Sequence, residues 1–192
     1  MKTFHLILLS FLSLFANAQT FTLKSNEIGG QATAQQLFNG FGCAGANVSP
    51  QLYWENPPVG TKSFAITIYD EDAPTGSGWW HWLVFDIVNN VTELKSNSGN
   101  LKSGLAPQGS IQSKTDFGVS GYGGPCPPPG DGSHRYVITV HALKTEKLGL
   151  DITANPAWVA HDLIHIGQIT RVMAKQCKNE IGPFIEFLTR LK

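Results

Sequence analysis

The 192-residue sequence lacks an excess of charge of either sign: Lys and Arg number 14, and so do Asp and Glu. Without a basic face there is no electrostatic footprint for nucleic acid, and none is expected as a partner. Charged residues are scarce as well, at 15% against 42% hydrophobic, which excludes a disordered, solvating chain. No internal repeat and no low-complexity linker divides the sequence, so one domain is expected over residues 19–192. No Gly-x-Ser-x-Gly motif occurs, so the nucleophile elbow of a hydrolase is missing. No cofactor fingerprint stands out, and no cofactor is expected.

Long apolar runs are missing too, except near the start. MKTFHLILLSFLSLFANA carries Lys2, an apolar stretch from Phe4 to Phe15, and the small-x-small end Ala16-Asn17-Ala18. This is the layout of a secretory signal peptide over residues 1–18, and the stretch is too short for a membrane span. The mature chain is then expected to be exported, periplasmic or secreted, with no transmembrane segment. Export permits disulfides. There are only three cysteines, Cys43, Cys126 and Cys177, which allow one bridge out of three pairings. Cys43 (FGCAGAN) and Cys126 (GGPCPPPG) both lie in Gly-rich loops, and a bridge between them is favoured. The alternative leaves all three unpaired.

Glycine and proline, by contrast, are plentiful, at 20 and 11. They cluster at 56–58, 74–78 and 121–132 and punctuate strand-like runs at 21–24, 52–54, 63–69, 81–87 and 135–143. In SFAITIYD, Phe64, Ile66 and Ile68 alternate with Ala65, Thr67 and Tyr69, the period of a strand. Trp158, Leu163, Ile166, Ile169 and Met173 recur at helical spacing, which predicts a helix over 156–175 that starts at Asn155-Pro156. A second, short helix is expected over 183–191. The class is mainly β with C-terminal helices.

Two segments place chemistry at strand ends beside loops. YDEDAPTGSGWWHW (69–82) carries Asp70, Asp72, Pro74 and His81, and GYGGPCPPPGDGSHRY (121–136) carries His134 and Tyr136. Two imidazoles and a phenol offer donors to a small anion, and an aspartate beside them orients a ring and favours its charged form. Trp80 and Trp82 are expected to form an apolar wall. Each residue alone is more often structural: a histidine at a strand end is commonly a satisfied core residue, and an aspartate before a Pro turn commonly closes an Asx-turn. A metal set of His81, His134 and Asp70 lacks close histidine spacing, and His161 and His165 read as helix residues without a third ligand.

The combination DEDAP, WHWLVFDI and GPCPPPGDGSHRY, with FGCAGANVSPQLYW and TDFGVSGYGGP, resembles the phosphatidylethanolamine-binding protein family. The nearer match is its bacterial, Raf-kinase-inhibitor-like branch, over roughly residues 21–175. The resemblance implies a large central antiparallel sheet, a smaller second sheet and peripheral C-terminal helices. It also implies a pocket at the sheet ends for a small anionic ligand, a phosphate or a phosphoethanolamine-type head group. Position by position it assigns ligand-binding roles to Asp70, Asp72, Pro74, His81, Gly124, Pro125, His134 and Tyr136, and a cis peptide at Ala73-Pro74. It suggests a homodimer, and a protein partner that the chain modulates. The family reads Asp-Pro-Asp-Ala-Pro where this chain has Glu71, which adds charge and removes a rigid residue, and weaker anion binding is expected. The leading expectation is a non-enzymatic binding protein whose affinity rises as pH falls through about 6.5, where histidine gains charge. A phosphate- or ester-hydrolysing enzyme and an interaction module with a vestigial pocket are the alternatives.

Overall fold

The computed structural model describes residues 19–176. The expected signal peptide, Cys177 and the helix over 183–191 lie outside the described residues.

In chain order the elements are β1 (Thr22–Lys24), β2 (Asn39–Gly40), β3 (Cys43–Ala44), β4 (Leu52–Glu55), β5 (Ser63–Asp70), β6 (Trp79–Val88), β7 (Glu93–Leu94), β8 (Ile111–Gln112), β9 (His134–Leu143), α1 (Pro156–Ile166) and β10 (Gly167–Gln176). The main sheet has the order β10-β9-β5-β6-β8, and a smaller one the order β1-β4-β7. Strands β2 and β3 form a short ribbon, and all pairings are antiparallel. The fold is mainly β, as the sequence indicates.

The alternation in β5 shows why the main sheet is covered on both faces. Phe64, Ile66 and Ile68 join Trp82, Val84, Ile138 and Val140 in one core, which Leu23, Leu52 and Trp54 of the smaller sheet complete. Ala65, Leu83, Phe85 and Leu143 face the other way and meet Val159 and Leu163 of α1. Burying such apolar side chains contributes about 1.5–3 kcal/mol each, so the two-sided core dominates the stability of the sheet.

Helix α1 starts where the sequence places it. The Asn155 Oδ1 accepts the Ala157 N–H at 2.8 Å, and Pro156 occupies the first turn, where its missing N–H leaves no bond unmade. Its predicted end is corrected: the chain is helical only to Ile166, and 167–176 is a strand paired with β9 from Gly167↔Leu143 to Gln176↔His134. Gly167 disfavours further helix, and the β-branched Ile169, Thr170 and Val172 suit a strand that has an edge to complete.

Candidate functional site

The backbone of β6 carries an irregularity that builds the site. Against β5, Trp82 pairs with Ile68, but the next pairs are Trp80↔Tyr69 and Trp79↔Asp70. His81 is therefore an extra residue, a β-bulge, and such insertions re-aim side chains. It leaves Trp82 in the core and Trp79 opposite Asp70, while His81 joins Trp79 in lining a cavity. Gly123 holds the bulge twice. Its N–H donates to the His81 carbonyl at 2.9 Å, and its own carbonyl accepts the His81 Nδ1–H at 2.6 Å.

The cavity measures about 200 Å³. Asp70, His81, His134 and Tyr136 form its polar floor, and Phe41, Pro74, Trp79, Phe117 and Pro128 are among its apolar walls. Asp70 is at the end of β5 and pairs with Tyr136 of β9, so the hydrogen-bonded register alone brings these two strand ends together. The Asp70 Oδ2 accepts the His134 Nδ1–H at 2.8 Å, and its Oδ1 accepts the Asp72 N–H at 2.9 Å. Asp70 thus orients His134, whose Nε2 lies 3.4 Å from the partly exposed Asp131 carboxylate at the rim.

His81 and Tyr136 are both neutral around pH 7. Burial, partly offset by the Gly123 carbonyl, pushes the His81 pKa down to about 4. At His81, then, desolvation wins over any neighbouring charge, and the imidazole that the aspartate orients is His134. Since Nδ1 carries the proton to Gly123, the neutral ring presents Nε2 as an acceptor. Burial first, then the field of Asp70, holds the Tyr136 phenol well above its ordinary range. Its hydroxyl is buried without a hydrogen-bond partner of adequate geometry, although the Asp70 carboxylate is near enough to perturb it.

Of the residues assigned from sequence, Asp70, Pro74, His81, His134 and Tyr136 line the cavity, whereas Asp72, Gly124 and Pro125 do not. Asp72 is taken up by Arg135, whose Nε and Nη2 donate to its two oxygens at 2.9 and 2.7 Å and hold its carboxyl below the usual range. Gly124 packs behind the loop, where a Cβ would sit 2.0 Å from the Gln36 carbonyl oxygen. The Pro125 carbonyl accepts the Phe38 N–H at 3.0 Å. The Ala73-Pro74 bond is trans rather than cis: the Thr75 N–H donates to the Ala73 carbonyl at 2.8 Å, closing a three-residue turn that the fixed φ of proline admits. Glu71 does not line the cavity either. Its carboxylate is 3.5 Å from Arg135, and its N–H donates to the Arg135 carbonyl, a bond proline would lack.

The apolar wall is also corrected. Trp82 is fully buried with its Nε1 donating to the Gln112 Oε1 at 2.7 Å, and Trp80 sits opposite Tyr69 on the far face. Trp79 takes the place expected of them, with Phe117 at 5.6 Å in edge contact. Phe41 and Phe117 were not singled out from sequence. They sit on loops far apart in the chain, and their rings stack 5.9 Å apart. Phe41 reaches the rim because Cys43 and Cys126 are bridged, which joins the two loops as the sequence favours. Among the described residues no group of three His, Cys, Asp or Glu is placed to hold a metal ion, and no helix is long and apolar enough to cross a membrane.

Comparison with known proteins bears on the same residues. The sequence model of the phosphatidylethanolamine-binding protein family matches residues 28–166. UPF0098 protein YbcL of Escherichia coli (strain K12) is 49% identical over 157 residues, 81% of this chain and 86% of that protein. UPF0098 protein YbhB of the same strain is 46% identical over 145 residues, 73% of this chain and 89% of that protein. The crystal structure of E. coli YbcL, described as a new member of the mammalian PEBP family, superposes with a TM-score of 0.79 at 46% identity. That superposition covers 81% of this chain and 96% of that one. A Mycobacterium tuberculosis protein named as a lipoprotein, LppC, is 38% identical over 103 residues, 54% of this chain and 47% of its own length.

Proposed function

The chain belongs to the phosphatidylethanolamine-binding protein family, and from that premise we propose that it is an exported, non-enzymatic protein that binds a small phosphate-bearing ligand in the cavity at the sheet ends. The observation that carries the reading is the Tyr136 hydroxyl, a buried donor that lines the cavity and has no hydrogen-bond partner of adequate geometry among the described residues. Leaving such a group unpaired costs about 1–3 kcal/mol, which a ligand oxygen recovers. His134, oriented by Asp70, faces the same space. The neutral His81 asks for the opposite chemistry, a ligand donor. A singly protonated phosphate meets both demands, with an oxygen for the Tyr136 hydroxyl and a P–OH for His81. The aromatic rim of Phe41, Trp79 and Phe117 suits an organic substituent on that phosphate.

A binding role is favoured over hydrolysis by the side chains on the cavity wall. Its cysteine, Cys126, is locked in the disulfide, and among the described residues its only hydroxyl besides Tyr136, on Thr75, donates to the Gly78 carbonyl. Export is supported by the leader-like residues 1–18, the disulfide and the relative named as a lipoprotein. Modulation of a partner protein and homodimer formation are what the family resemblance suggests.

The test is calorimetric titration of the purified protein with inorganic phosphate and phosphoethanolamine, alongside Tyr136→Phe and His134→Ala. Tyr136→Phe removes an unpaired hydroxyl, so the free protein should be as stable as wild type or about 1 kcal/mol more stable, while affinity drops about ten-fold. Unchanged affinity in both variants, or turnover of phosphate esters that His81→Ala abolishes, would sink the reading.

A further inference from the structure

The main sheet has a second cavity on its other face, beneath α1, and it too measures about 200 Å³. It is lined in part by Thr67, Trp80, Thr139, His141, Leu163 and Arg171. We propose that it is a second binding site, for a single-ring aromatic carboxylate that carries a hydroxyl group.

Three independent features define that chemistry. The size comes first: a dry cavity of about 150 Å³ accepts benzene, so this one holds a ring with small substituents. Trp80 and Leu163 supply apolar and aromatic surface for it, and the Trp80 ring is held by Tyr69 at 4.4 Å. The second feature is Arg171. It is exposed on β10 directly opposite Thr139, and it makes no ion pair among the described residues. A guanidinium at a cavity edge is a two-pronged donor for a carboxylate. Among the described residues the one acidic side chain of the cavity, Glu71, lies beyond Tyr69 towards Arg135, with which it pairs. It is four residues along the strand from Thr67, about 13 Å, and so does not compete for Arg171.

The third feature is His141. It is 6% exposed and lines the cavity, with Nε2 3.2 Å from the Thr67 Oγ1 and Nδ1 buried without a partner. Burial, reinforced by Arg171, keeps this ring neutral. A neutral imidazole offers one donor and one acceptor, and a ligand hydroxyl, which both donates and accepts, satisfies either tautomer. The Thr67 and Thr139 hydroxyls stand beside it in the paired register Thr67↔Thr139. Carboxylate at the mouth, ring against Trp80 and hydroxyl inside is the arrangement that uses all of these groups.

The experiment is a calorimetric titration of the full chain with 4-hydroxybenzoate, benzoate and 4-hydroxybenzyl alcohol, with the Trp80 indole N–H followed by NMR. Wild type should bind 4-hydroxybenzoate with a dissociation constant of about 1 mM or below and shift the Trp80 signal. Benzoate and 4-hydroxybenzyl alcohol should each bind about ten-fold more weakly. Arg171→Gln, at an exposed position, should weaken 4-hydroxybenzoate about ten-fold and leave the alcohol unchanged. His134→Ala, in the other cavity, should leave the affinity for 4-hydroxybenzoate unchanged. The proposal is overturned by absence of saturation, by equal affinity in Arg171→Gln, by equal affinity for benzoate, or by loss of binding in His134→Ala.

Discussion

Acid should unfold this protein through its buried neutral histidines, and His81 allows the size to be worked out. In the unfolded chain a histidine takes up its proton near pH 6.5, but in the fold His81 resists protonation down to about 4. Between those values the unfolded state binds more protons, so stability rises with pH and falls on acidification. Each pH step down through that window costs about 1.4 kcal/mol, so His81 alone costs about 3 kcal/mol by pH 4. His141, pushed down to about 3 by burial, adds a similar loss. Against a typical stability of about 5–15 kcal/mol the two together bring the fold to the edge of unfolding. The assay is urea denaturation at pH 7, 6, 5 and 4 for wild type and His81→Phe. The variant should lose about half of the pH slope. A wild-type stability that is flat from pH 7 to 5, or the same slope in His81→Phe, would refute the reasoning.

Three further outcomes follow from the site. Asp70→Ala strips the acceptor from both His134 and the Asp72 N–H and should cost about 3 kcal/mol in denaturant melts, with phosphate binding lost. Arg135→Ala removes a solvent-exposed pair with Asp72, away from the cavity, and should change stability by about 1 kcal/mol or less and leave phosphate affinity within about two-fold. Cys43→Ser with Cys126→Ser opens a bridge across 83 residues, for which loop entropy gives a loss of about 4–5 kcal/mol. In that double variant the exposed Phe41 should also become accessible to proteolysis on its loop.

What sequence conveys about this protein depends on whether the deciding interaction is local. Strands β1, β4, β5, β6 and β9 were visible because β-branched and aromatic runs end at Gly and Pro clusters, and the start of α1 because Asn-Pro is a local cap. The end of α1 was not visible. Ile169 and Met173 fit a helical stripe as well as a strand, and the pairing with β9 that decides between them involves residues some thirty positions away. The floor of the cavity could be read from two motifs, but the strict two-residue period misplaced the tryptophans. The bulge at His81 breaks that period, and its cause, the grip of Gly123, is forty-two residues distant. Phe41 and Phe117 escaped notice for the same reason: loops join them, and no periodicity marks a rim.

The bulge has an evolutionary corollary. If His81 were deleted, Trp82, Trp80 and Trp79 would already face Ile68, Tyr69 and Asp70 in an unbroken ladder. The hairpin would lose an imidazole from the cavity and its tether to Gly123, and no core residue would change place. One codon therefore separates an unbroken hairpin from one that sets an imidazole into the cavity. A scaffold of this kind can gain, lose or retune its ligand chemistry without renegotiating its interior.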